Sequence, residues 1–316
     1  MKAEISKEIE LVQVLLFLSE QQEKTIQCIN NKTYTTAISE WFAAYRNHPA
    51  VQLTKDLICN ENFIHIRPLQ AILSLKDIIA NPEHPLYAWV TAVIEFQEIS
   101  GFDAFFESQT DYYTWILDHI ASCDFDTWVG FIDAYFRQKP DEFRLVVCPI
   151  AGNYGFSMEE NGKNIAYTVR FMPKYNENGI PDWNFDFFAK GIAHEYAHCF
   201  VNPVVEAHVD LLKKHPDFFA KHNDVPNFYN TDYAVINEYF VRAFQIRFME
   251  CNHALFPGFD IEKEYEYQRK AFLFIDQFVE TLREFEASEV SFSEFYLARI
   301  EGLLAETCFT SIKKKR

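Results

Sequence analysis

"GIAHEYAHCFVNP", residues 191–203, places two histidines four apart with a glutamate directly after the first. On an α-helix, positions i and i+4 lie one above the other on the same face, so His194 and His198 present two imidazoles to one point. That arrangement suits zinc. Glu195 stands one step round the helix, where it can face an attacking water, which is the geometry of the H-E-x-x-H metallopeptidase motif. A surface helix that merely carries two histidines is the plainer alternative. The neighbours Ile192, Ala193, Ala197, Phe200 and Val201 argue against it, because they make the segment apolar nearly all round. Two buried histidines beside a buried glutamate are costly without a partner such as a metal. Asp182 or Asn184 is the expected cap of this helix, and Pro203 its expected stop, just after Val201.

A catalytic zinc takes three protein ligands and keeps one position open. The metzincin extension needs Gly at 201 and His at 204, and both positions are valine. The best third ligand is Glu238 in "VINEYFVRAF", a charged residue on a helix whose other faces are apolar. Arg242, one turn further on, can pair with Glu238 or with a substrate carboxylate. A simple Glu238–Arg242 ion pair is the bland alternative. Glu206, His208 and Asp210 are rival ligands, placed beyond the expected helix stop, and Asp224 and Asp232 are weaker rivals.

Outward from the motif, the two halves of the chain differ in texture. Residues 1–139 read as a succession of helices, among them "ISEWFAAYRNHPAVQLTKDL", interrupted at Pro49, "PLYAWVTAVIEFQEI" and "DAFFESQTDYYTWILDHI". His48, His65, His84 and His119 stand alone there and read as structural. From residue 140 the β-branched runs "FRLVVCPI" and "NIAYTVRFMP" flank the turn-rich "AGNYGFSMEENGK", which predicts a small antiparallel sheet with a hairpin at Glu160-Asn161-Gly162. After the motif comes "TDYAVINEYFVRAFQIRFMECN", a helix capped by Asn230 or Thr231, then amphipathic helices near 261–285 and 291–307. The predicted fold is mainly α within an α+β class. A helical N-terminal lobe, 1–139, packs on a zincin-like lobe, 140–316, that holds the small antiparallel sheet and the motif helix.

Of 316 residues, 49% are hydrophobic and 32 are phenylalanine, enough for a large core without a disulfide or metal staple. The formal charge of −17 repels phosphates and sets aside a nucleic-acid partner. The basic ending "SIKKKR" reads as a solvated tail. Seven cysteines, an odd number with no CxxC pair, fit a reducing, cytoplasmic setting. The apolar run near the start follows Glu4, Glu8 and Glu10, lacks a basic n-region and is too short to cross a bilayer, so it reads as an amphipathic helix and no membrane partner is expected.

"HEYAHCFVNP" with "NEYFVRAF" resembles the gluzincin metallopeptidases. More narrowly it resembles a largely bacterial family of unknown function with an H-E-[FY]-[AS]-H-x-F-V-N-P core and a downstream Glu helix bearing Arg-Ala. "YRNHPAV" and the "GNYG" loop are similar to that family too. The resemblance implies zinc on His194, His198 and Glu238 with Glu195 as base, acting on a peptide or protein substrate, and it supplies no particular substrate. Tyr154, Tyr233, Tyr239 and His208 are candidate oxyanion donors, and a sheet edge could receive an extended peptide. The thermolysin-like pattern has an aspartate four residues after the ligand glutamate to orient the first histidine. Arg242 stands there instead, so another group must orient His194. Two other readings are a helical interaction protein with a structural or degenerate zinc site, and a zinc hydrolase of a non-peptide bond. The intact Glu195 favours an enzyme.

Overall fold

A computed structural model describes residues 3–20, 31–60, 66–150, 152–171, 185–220 and 231–313. Asp182, Asn184, Asp224, Asn230, His65 and the last three basic residues lie outside them. The protein is mainly helical with one small sheet, an α+β fold. None of its described helices is long and apolar enough to cross a membrane. Four strands, β1 (Ala3–Glu4), β2 (Glu142–Cys148), β3 (Tyr154–Glu160) and β4 (Lys163–Phe171), lie in the order β1-β2-β4-β3. The turn at Asn161-Gly162 has φ of 52° and 75°, the double left-handed turn that closes a two-residue hairpin between β3 and β4. Two-residue β1 pairs parallel to β2, Ala3 against Leu145, so the sheet is mixed.

The chain divides into two compact units: Met1–Cys123 with Phe143–Tyr154 and Tyr167–Asn184, and Asp124–Glu142 with Gly155–Ala166 and Phe185–Arg316. Strands β2 to β4 contribute residues to both.

In the first unit, Pro49 opens the helix Pro49–Asn60, a position where its missing N–H costs nothing. His48 and His84 are structural, each accepting a backbone N–H two residues on, from Ala50 and Leu86, at 3.1 Å. The helix Lys7–Leu18 is capped by Ser6, whose Oγ accepts the Ile9 N–H at 3.3 Å. It is not amphipathic. Ile9 to Leu16 are all buried, so Glu10 is enclosed with its apolar neighbours. Tyr34 donates to Glu10 Oε1 at 2.7 Å and meets the Tyr113 hydroxyl at 2.6 Å. Burial pushes the Glu10 carboxyl up, Tyr34 partly offsets that, and the net value is about 7 against an ordinary 4.5.

The raised value makes Glu10 a pH-dependent contributor to stability. Its contribution is fully present below pH 4.5, declines above it and is lost as pH rises through about 7. At 1.36 kcal/mol per pKa unit the loss is about 3 kcal/mol. Glu10→Gln keeps the neutral shape. Denaturant titrations across that window should show the wild type losing stability relative to the variant. Parallel curves for the two proteins would refute the assignment.

In the second unit, the long helix Phe185–Ala207 packs along Asp232–Cys251. Phe200 lies flat on Phe136, ring centroids 4.8 Å apart, and the Tyr196 hydroxyl donates to Asp133. These contacts pin the helix to its neighbour Phe125–Phe136. Pro203 does not stop the helix, which runs on to Ala207. A proline inside a helix removes one backbone hydrogen bond, but Val201 and Val205 on either side are fully buried and hold the last turn in the core. Thr231 caps Asp232–Cys251, its Oγ1 accepting the Ala234 N–H at 3.3 Å. The stretch expected as one helix near 261–285 is two, Ile261–Arg269 and Ile275–Ala287. Between them Phe272 and Phe274 turn inward, and Tyr239 accepts the Phe274 N–H at 3.4 Å. The last helix is Phe292–Lys313.

Candidate metal centre

Spaced four apart, Lys190, His194, His198, Asn202 and Glu206 form a polar stripe that winds slowly round the Phe185–Ala207 helix, each lying beside the next. Each histidine is fixed through its Nδ1 atom. His194 Nδ1 lies 3.0 Å from Gln245 Oε1, and His198 Nδ1 lies 2.9 Å from Asn202 Oδ1. An amide oxygen only accepts, so both Nδ1 atoms carry the hydrogen, and in the neutral rings both Nε2 atoms keep a lone pair.

Those Nε2 atoms face one carboxylate. Glu238 Oε2 is 3.7 Å from His194 Nε2, and Glu238 Oε1 is 3.3 Å from His198 Nε2. Donor atoms at the usual bond lengths around a tetrahedral zinc are about 3.4 Å apart. His194, Glu195 and His198 also form a cluster whose potential ligand atoms all lie within 4.8 Å of one another. The donor set therefore fits a metal ion. Glu195 and Glu238 are only 5% and 6% exposed, so both carboxylates are held in a low-dielectric seam.

Burial alone would raise the Glu238 carboxyl. Arg242, His194 and His198 outweigh it and hold Glu238 well below the usual carboxylate range. Burial pulls the His198 imidazole down, while Glu238, Glu195 and Asn202 raise it, to about 8. A site with this much negative field around two imidazoles attracts a cation.

Arg242 is committed to the same seam. Its Nε donates to Glu238 Oε2 at 2.8 Å, its Nη1 to Gln268 Oε1 at 3.1 Å, and its guanidinium lies 4.6 Å over the Phe272 ring. Gln245 and Gln268 each donate to Glu264 Oε1 at 2.8 Å, and Lys190 reaches Glu264 Oε2 at 2.8 Å. The group that orients His194 is thus Gln245. Its only trace in the sequence is a polar residue in the apolar run "AFQIRF".

Gly155 of β3 touches this helix at the backbone of Glu195. A Cβ placed there would sit 1.5 Å from the Glu195 carbonyl oxygen. Only glycine lets the strand come so close to the residue that carries the candidate base. Gly155→Ala must push strand and helix apart, at a cost of about 1–3 kcal/mol for an overpacked site. A thermal unfolding scan should show the loss, and an unchanged midpoint would contradict the contact. Gly152 serves the same loop differently, with φ of 75° and the Tyr154 ring 1.8 Å from where a Cβ would stand.

The other expected residues fall elsewhere. Tyr154 is buried at the start of β3, one residue before Gly155. Tyr239 is buried and stacks on Phe278, centroids 4.4 Å apart. Tyr233 is half-buried near the start of its helix. His208 stacks on Tyr296, and Asp210 pairs with Lys213 on the surface. Glu206 sits on the motif helix, hydrogen-bonded to Asn237 and within the field of His198.

Fold and site together define an α+β protein whose long helix carries a His-Glu-His cluster, the glutamate buried and the histidines half-buried, that could hold a metal ion. The chain belongs to the family described as a domain of unknown function (DUF4932), which it matches over residues 68–300. No curated protein and no solved structure matches the chain.

Proposed function

We propose that this protein is a zinc-dependent metallopeptidase in which His194, His198 and Glu238 hold the ion and Glu195 is the general base. The observation that carries the reading is the placement of one buried carboxylate against both Nε2 atoms, with a second buried carboxylate one residue from the first histidine. A purely structural zinc site has no use for Glu195. Zinc, when bound, supplies Lewis acidity that polarises the scissile carbonyl and lowers the pKa of the attacking water. Glu195 accepts the proton of that water and returns it to the leaving amine. Gln245 and Asn202 hold the imidazoles in the ligating tautomer, and Arg242 steadies Glu238. A peptide is the favoured substrate because β3, last in the strand order, is brought against Glu195 by Gly155 and offers an edge to an extended chain. A reducing, cytoplasmic setting agrees with the free thiols of Cys123, Cys148, Cys199 and Cys251.

The test has two arms. Elemental analysis of the protein purified without chelator should find one zinc per chain. A broad peptide library, read by mass spectrometry, should be cleaved, and phenanthroline should block the cleavage. Absence of any transition metal after supplementation would sink the metal. Stoichiometric zinc with an untouched library would sink the peptidase.

A further inference from the structure

Glu264 faces neither candidate base nor metal, yet two lines of hydrogen bonds begin on it and end on two of the proposed ligands. Buried itself, it takes the half-buried Lys190 ammonium on Oε2 at 2.8 Å. A salt-bridged carboxylate only accepts hydrogen bonds. Gln245 and Gln268, both at 2.8 Å from Oε1, must therefore turn their NH2 groups toward it. Fixing one end of an amide fixes the other. Gln245 then shows its oxygen to His194 Nδ1 at 3.0 Å, which must carry the hydrogen and leave Nε2 bare. Gln268 shows its oxygen to Arg242 Nη1 at 3.1 Å, and Arg242 Nε donates to Glu238 Oε2 at 2.8 Å.

We infer that Glu264, paired with Lys190, is a positioning residue that sets the tautomer of His194 and the orientation of Glu238 through two glutamine amides. The inference rests on reading His194 and Glu238 as metal ligands. It also accounts for Arg242 at the position where the thermolysin-like pattern has an orienting aspartate. A carboxylate directly on His194 would crowd a third negative charge against Glu195 and Glu238. Placed one amide further back and neutralised by Lys190, it passes on direction without adding charge. The same amide device serves the second ligand, so one anion orders both.

The experiment separates positioning from simple structural support. Glu264→Gln keeps the shape, but its amide can donate or accept, so neither glutamine is fixed any longer. Nitrogen NMR of metal-stripped protein, in buffer alkaline enough that the imidazoles are neutral, should show one His194 tautomer in the wild type and a mixture in Glu264→Gln. Chelator competition should show zinc held about 10–100-fold more weakly, the usual effect of losing an outer partner. The exchanged pair Gln245→Glu with Glu264→Gln returns an obligate acceptor to His194 Nδ1 and should restore the single tautomer. If Glu264→Gln does not fold, Gln245→Met cuts the line at its nearer link and should also mix the His194 tautomers. An unchanged His194 tautomer in these variants, with or without loss of stability or affinity, overturns the inference. If the wild type binds no metal, the proposed function fails, and the tautomer measurement still decides whether Glu264 directs His194.

Discussion

Glu195→Gln should leave the fold and the metal in place while turnover falls by about 10²–10⁴-fold, the usual worth of a general base. The amide is nearly isosteric with the carboxylate, and the helix that carries it is anchored independently by Tyr196 on Asp133 and by Phe200 on Phe136. It can hydrogen-bond a water but cannot take its proton. Because Glu195 is 5% exposed, bulk buffer has little access to substitute for it. Wild type and variant should be assayed side by side on the library peptides that the wild type cleaves. Full metal content with the rate gone is the expected pair of results. Equal cleavage by both proteins would mean a contaminant or another base. Loss of metal together with activity would mean that Glu195 is a ligand, a role the compact His194-Glu195-His198 cluster also allows.

Glu238→Ala should weaken zinc binding by more than the 10–100-fold that follows loss of an outer partner. Two anchored imidazoles remain, but the carboxylate 3.3 Å and 3.7 Å from their Nε2 atoms is gone. The substitution also takes away the carboxylate partner of Arg242, which keeps Gln268 and is 19% exposed, so the cost falls below the about 3–5 kcal/mol of breaking a fully buried ion pair. Glu238→Gln is the companion that separates the two effects. It keeps an acceptor for Arg242 and the volume of the side chain, so it should recover most of the stability and little of the affinity. If both variants bind zinc like the wild type and Glu206→Ala or His208→Ala abolishes binding, the third ligand is elsewhere.

The histidine pair and Glu238 were legible in the sequence for one reason. A polar residue inside an apolar helical stretch needs a partner, and four-residue spacing tells which of them share a face. The hairpin turn was legible because Asn-Gly is among the few pairs that tolerate two left-handed residues. The supporting network was not. Gln245 lies 51 residues from His194 and Glu264 lies 74 from Lys190, and no local pattern records which polar side chains a fold will bring together. Lys190, one turn before His194, was the overlooked clue that the polar stripe extends beyond the motif. Pro203 and the helix Lys7–Leu18 show the opposite error. Local rules gave a stop and a solvent face, and tertiary packing overrode both, burying Val205 past the proline and Glu10 within the first helix.

The stripe from Lys190 to Glu206 also constrains how this sequence can change over generations. Replacing His194 alone by an apolar residue leaves the Gln245 oxygen and the Glu238 carboxylate facing it in a buried seam, and each stranded polar group costs about 1–3 kcal/mol. Removing Gln245 alone strands His194 and withdraws a donor from Glu264. Single steps are therefore penalised in either direction, and a lineage that gave up the metal would have to exchange the facing positions together. Across the family, positions 194, 245 and 264 should covary as a set, as should 198, 202 and 238, and relatives that lack one histidine should lack its partners too.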